Sequence, residues 1–139
     1  MTQEEKQLLL NDLSAKSPYG VIVNFTLGDI SFNERVSSVF VDERSVQVYV
    51  KQGFLKCPLD GDSEIKLSQV KPYLRPLSSM TEDEVNQYYK IRTGEDRNKP
   101  LGELDAELFD FYNSRHLDYN ELIKKELALE APAGMYKID

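Results

Sequence analysis

The spacing of apolar residues changes period once along this chain, and that change constrains the fold more than any single residue does. Between residues 19 and 67 the pattern is two-fold: Val21, Val23, Phe25 and Leu27 fall on one side of an extended chain, with Ile22, Asn24 and Thr26 on the other. Beyond Pro76 the period is helical. Strands and helices segregated in this way define the α+β class, and 139 residues is the length of one domain that buries a core without disulfides or metals. The expected organisation is a single domain over 1–139: a short helix over 1–17, a small curved antiparallel sheet or SH3-like barrel over 19–76, and about three helices over 79–139.

The segment boundaries carry their own chemistry. Thr2 and Glu5 have the spacing of a capping box, Leu9, Leu10 and Leu13 follow at helical intervals, and Ser17-Pro18 stops the helix. Gly28-Asp29 turns the first strand toward Ile30 and Phe32. Residues 39–41 and 46–50 are β-branched runs separated by a polar stretch, a hairpin pattern that puts Val46, Val48 and Val50 toward the core. A loop over 58–63 leads to Ile65 and Leu67, spaced for a further strand, so four to five short antiparallel strands are expected, enough to curl into a barrel. The run Ser68-Gln69-Val70-Lys71-Pro72-Tyr73 is similar to the turn and last strand that close SH3-like barrels.

In the helical part, Thr81 and Glu84 form a second capping box, with Val85, Tyr88 and Tyr89 on one face. Residues 93–102 read as a polar loop. A helix is expected from Glu103 to about His116 on the stripe Leu104, Leu108, Phe111 and Tyr112, followed by another capped by Asp118 with Tyr119, Leu122, Ile123 and Leu127 on its stripe. These two are expected to pack as a helical hairpin, with Gly134-Met135-Tyr136 docking back on the body.

Seventeen basic against twenty-four acidic residues give a net charge of -7, which disfavours wholesale attraction to nucleic acid or anionic lipid. The acidic start Met1-Thr2-Gln3-Glu4-Glu5 and the short apolar runs predict neither a signal peptide nor a membrane span, hence a cytoplasmic location. Cysteine and histidine occur once each, as Cys57 and His116, so an internal disulfide, a Cys-rich metal site and a two-histidine zinc helix are excluded. No Gly-x-Ser-x-Gly elbow, Walker loop or Gly-x-Gly-x-x-Gly stretch occurs.

Four groupings remain. Glu103, Asp105, Glu107 and Asp110 offer carboxylates to a divalent cation, as a metal-dependent hydrolase requires, although a solvated helix face explains the same acids. Cys57 and His116 could meet as thiolate and base, but a buried structural thiol and a histidine at a helix C-terminus need no partnership. Lys71, Tyr73 and Arg75 interleave base and aromatic between Glu64 and Glu82 and are the candidate binding residues, for phosphates and stacked bases or as a connector packed between barrel and helices. Five of the eight tyrosines, Tyr88, Tyr89, Tyr112, Tyr119 and Tyr136, lie in the C-terminal half, where they serve either an interface or the rim of a core.

Residues 13–21 (LSAKSPYGV), 71–80 (KPYLRPLSSM) and 118–136, from DYNELI to APAGMY, together resemble a group of small bacterial proteins associated with phage-derived or mobile regions of gut bacterial genomes. That resemblance spans most of the chain and implies no activity, catalytic residue or cofactor. Because Cys and His occur once each and neither has a recognisable catalytic partner, the expected function is a non-enzymatic protein-binding or adaptor module with no cofactor and no membrane contact. Its partner is a protein still to be identified, a homodimer being one option; a nucleic-acid-binding small barrel is the first alternative and a metal-dependent hydrolase the second.

Overall fold

A computed structural model describes residues 2–27, 29–41, 45–50, 53–58, 69–93 and 101–136. The first helix, α1 (Gln3–Lys16), starts where the capping box predicts: Glu5 N donates to Thr2 Oγ1 at 3.1 Å and Thr2 N to Glu5 Oε1 at 2.9 Å. Leu9, Leu10 and Leu13 are buried. A 3₁₀ turn over Ser17–Tyr19 ends at Gly20, whose φ of +68° lies in the left-handed region. Glycine suits that conformation, and a Cβ there would stand 2.7 Å from Nη1 of Arg35, which donates to the Gly20 carbonyl, so the Arg35 side chain would have to shift.

Among the described residues six strands form one mixed sheet: β1 (Ile22–Leu27), β2 (Ile30–Val41), β3 (Ser45–Val50), β4 (Gly53–Pro58), β5 (Lys71–Leu74) and β6 (Leu129–Glu130), in the order β4-β3-β2-β1-β5-β6. β2 is shared along its length. Its first half, 30–35, pairs with β1 and its second half, 36–41, with β3, and the exchange falls at a bulge between Val36 and Ser38 where Ser37 Oγ donates to the Tyr49 carbonyl. This stagger bends the sheet around one face, on which Val21, Val23, Phe25, Val36, Val46 and Val48 close over α1 and Leu122 in a single core.

The sheet is open and is not closed into the SH3-like barrel expected: among the described residues no ladder joins β4 to β5 or β6. It is also not wholly antiparallel, since β6 runs parallel to β5 through Tyr73↔Leu129 and Leu74↔Glu130. Ile65 and Leu67, assigned to a strand by their spacing, lie outside the described residues.

Among the described residues two α-helices follow Pro76, where about three were expected. α2 (Glu82–Thr93) begins at the second capping box, with Glu84 N donating to Thr81 Oγ1 and Thr81 N to Glu84 Oε1. α3 (Leu101–Ser114) starts two residues before Glu103; residues 94–100, expected as part of a polar loop, lie outside the described residues. α3 stops with His116 at φ +57°, Leu117 N bonded to the Tyr112 carbonyl and His116 N to that of Asn113; this pair of bonds satisfies carbonyls of the last turn without a glycine.

The expected fourth helix is a series of turns. Asp118 does cap, but its carboxylate accepts Leu122 N at 2.8 Å and Ile123 N at 3.0 Å, with Glu121 between them at φ +57°. A second closing pair, Leu127 N to Leu122 O and Glu126 N to Ile123 O, ends the segment after one turn with Glu126 at φ +61°. Burial of Leu122, Leu127 and Ala128 in the core decides the conformation over helix propensity.

Candidate functional site

β5 places Lys71, Tyr73 and Arg75 on its outward side while Pro72 and Leu74 point into the core. The three do not form one accessible patch. Lys71 and Tyr73 are half-buried, and the Tyr73 hydroxyl donates to Asn33 Oδ1, which also accepts from Asn24 on β1, so this part of the sheet is a cross-strand polar ladder. Arg75 is only 6 % exposed: its Nη1 and Nη2 grip the two oxygens of Glu84 at 2.9 and 2.7 Å and also donate to the carbonyls of Arg115 and Ser79. Its backbone is fixed as well, N–H to the His116 carbonyl and C=O to Asp118 N. The Arg75 fork holds the Glu84 carboxyl below its ordinary range and joins the sheet to α2. Sequence spacing could not show this, because the acid it needs arrives nine residues later on another element.

His116 is enclosed. Its Nε2 lies 2.8 Å from the Tyr19 carbonyl, so that nitrogen carries the proton, and its ring stacks on Tyr136 at 3.8 Å and 11°. Burial, assisted by the charges of Lys16, Arg35 and Arg75, pushes the imidazole down to about 4. The helix-end position expected for it is met, but the ring is neutral and does not serve as a cation for the helix dipole. Cys57 pairs through its backbone with Val46, and its side chain lies outside the described residues. Among the four acids of α3, Glu103, Asp105 and Asp110 are exposed; among the described residues no three His, Cys, Asp or Glu side chains converge as a metal site would need.

The tyrosines do come together. Tyr89 packs edge-on against Tyr88 at 5.6 Å, Tyr88 meets Tyr112 at 6.3 Å, Tyr112 stacks on Tyr119 at 5.1 Å, and Tyr119 meets Phe109 at 5.6 Å. This row crosses from α2 over α3 to the turn after it. Its ends are its exposed members, Tyr89 at 59 % and Phe109 at 50 %, while burial raises the Tyr112 and Tyr119 hydroxyls and keeps them protonated. Phe109 was not among the residues that spacing singles out. The signal was present, since it is an aromatic lying off the Leu104, Leu108, Phe111 and Tyr112 stripe.

A separate groove of about 430 Å³ runs between α2 and α3, walled by Tyr19, Gln87, Lys90, Asp110, Phe111 and Arg115. Its polar groups are largely occupied with one another: Tyr19 donates to Asp110 Oδ1 at 3.2 Å, and Arg115 lies over the Phe111 ring at 4.7 Å while bonding Gln87 at 2.6 Å. Among the described residues, neither surface assembles a nucleophile with a base. Among the described residues no helix is long and apolar enough to cross a membrane. Comparison with family models, curated proteins and solved structures found no match for this chain.

Proposed function

We propose that this chain is a non-enzymatic protein-binding module of the cytoplasm, and that the aromatic row from Tyr89 to Phe109 is its docking surface. The observation that carries this reading is the exposure of both ends of the row, which lie on α2 and α3. Large aromatic side chains with few rotors supply contact area at low entropic cost, and such residues dominate the energetics of protein interfaces. Exposed Glu103, Asp105 and Asp110 on the same helix favour a partner with a basic rim.

The test is affinity capture from lysate of the producing cells, with and without nuclease, using the wild-type chain and the double variant Tyr89→Ala/Phe109→Ala. Both side chains are largely exposed, so the variant keeps its melting temperature, and the reading expects it to lose a protein that the wild type retains under both conditions. Equal recovery by the variant refutes the surface. Recovery that collapses with nuclease favours a nucleic-acid module instead, which would have to work with Lys71 and Tyr73 while Arg75 is engaged by Glu84.

A further inference from the structure

Lys16, Asp12 and Asn113 form a polar cluster inside the protein, beneath Tyr119 of the aromatic row. Lys16 and Asp12 are one turn apart on α1, on the same side as Leu9 and Leu13, and both are fully buried; Asn113, in the last turn of α3, is 7 % exposed. Lys16 Nζ bonds Asp12 Oδ1 and, at 3.1 Å, Asn113 Oδ1, and it lies 4.6 Å from the centre of the Tyr119 ring. The second Asp12 oxygen, Oδ2, is buried with no hydrogen-bond partner in the structure.

An ion pair in this setting is expensive, because desolvation of two charges outweighs their attraction unless every lone pair is satisfied. Burial lowers the Lys16 ammonium and raises the Asp12 carboxyl, both toward a neutral amine beside a neutral acid. A neutral amine held against a carboxamide, with a carboxylic acid alongside and water excluded, has the parts of a transamidation.

We propose that Lys16 and Asn113 are joined by an intramolecular amide bond that the fold forms by itself, with Asp12 as the proton carrier. The Lys16 ammonium gives a proton to the Asp12 carboxylate, and the amine lone pair attacks Cγ of Asn113. The carbonyl electron pair moves to Oδ1, which takes the proton from Asp12. The tetrahedral carbon then collapses, the carbonyl re-forms, the Cγ–Nδ2 bond breaks, and Asp12 relays the proton from oxygen and nitrogen to the leaving group. One lysine ammonium and one carboxamide become one secondary amide and one ammonium ion, with no oxidant, cofactor or water consumed. The bond ties α1 to α3 across 97 positions of sequence.

Intact mass spectrometry of the full chain tests this, followed by peptide mapping after trypsin. The expected result is a mass lower than that of the processed sequence by one ammonia, and a branched peptide linking Lys16 to Asn113; the Asn113→Ala variant shows its full mass and no branch. Three results overturn the proposal: a full wild-type mass after prolonged incubation at neutral pH, loss of one water with a Lys16–Asp12 link, or loss of ammonia mapped to any other residue. The wild-type measurement decides the matter even if a variant fails to fold.

Discussion

Acidification from pH 7 to pH 4 should unload one identifiable source of stability, His116. In the unfolded chain its imidazole titrates near 6.5, whereas in the native protein it stays neutral down to about 4. Between those values the unfolded state binds a proton that the native state refuses, so stability falls as pH drops through this window and is unaffected by the group above it. At about 1.4 kcal/mol for each pH unit, the loss reaches about 3 kcal/mol by pH 4. Urea unfolding at a series of pH values measures it, and because the chain has one histidine, NMR of the imidazole follows the native titration without assignment. His116→Asn, which tolerates the left-handed backbone, is less stable at pH 7, and its deficit closes toward pH 4. Glu84, held low by Arg75, loses its contribution only as pH falls below the ordinary carboxyl range, and Asp12, held high by burial, slopes the opposite way; the difference between wild type and variant removes both. A native imidazole titrating near 6.5, or a variant with the same pH profile as the wild type, would refute the reasoning.

Arg75→Leu leaves the Glu84 carboxylate buried without its fork and costs about 3–5 kcal/mol in urea unfolding, and Arg75→Lys recovers only part of that. Tyr136→Phe removes a hydroxyl that accepts from Ile22 N and donates to the Tyr73 carbonyl, both at 2.8 Å; it should cost about 1–3 kcal/mol and speed hydrogen exchange at the Ile22 amide. Glu126→Gly relieves a left-handed backbone at an exposed position and should raise stability by about 0.5–1 kcal/mol, read as a higher melting temperature.

Features written over three to eight neighbouring residues were legible in the sequence. Both capping boxes, the alternation through Val21 and Val23 into the core, the 39–50 hairpin and the docking of Tyr136 all depend on local period or local chemistry. Features decided by partners far along the chain were not. Glu84 was identified as a cap, which it is, but the same carboxylate also receives Arg75. The 118–128 segment has a helical stripe, yet its leucines are drawn into a core made mostly by other elements, and two of its non-glycine residues, Glu121 and Glu126, adopt positive φ to allow that path. Asp12 and Lys16 could have been noticed as charges at the spacing of Leu9 and Leu13; the carboxamide that completes their cluster lies on α3.

The seam between β1 and β5 is short, pairing only Val23 with Pro72 and Asn24 with Lys71, and Pro72 offers no N–H. The next rung is supplied by the Tyr136 hydroxyl, 114 positions after Ile22. During synthesis the β1–β4 meander can therefore assemble early, while the joint that fastens β5 to it must wait until the chain around residue 136 has left the ribosome. Completion of the sheet is tied to a residue made long after the strands it joins, and a product truncated before Tyr136 would expose the backbone groups of Ile22 and Tyr73 to solvent and proteases.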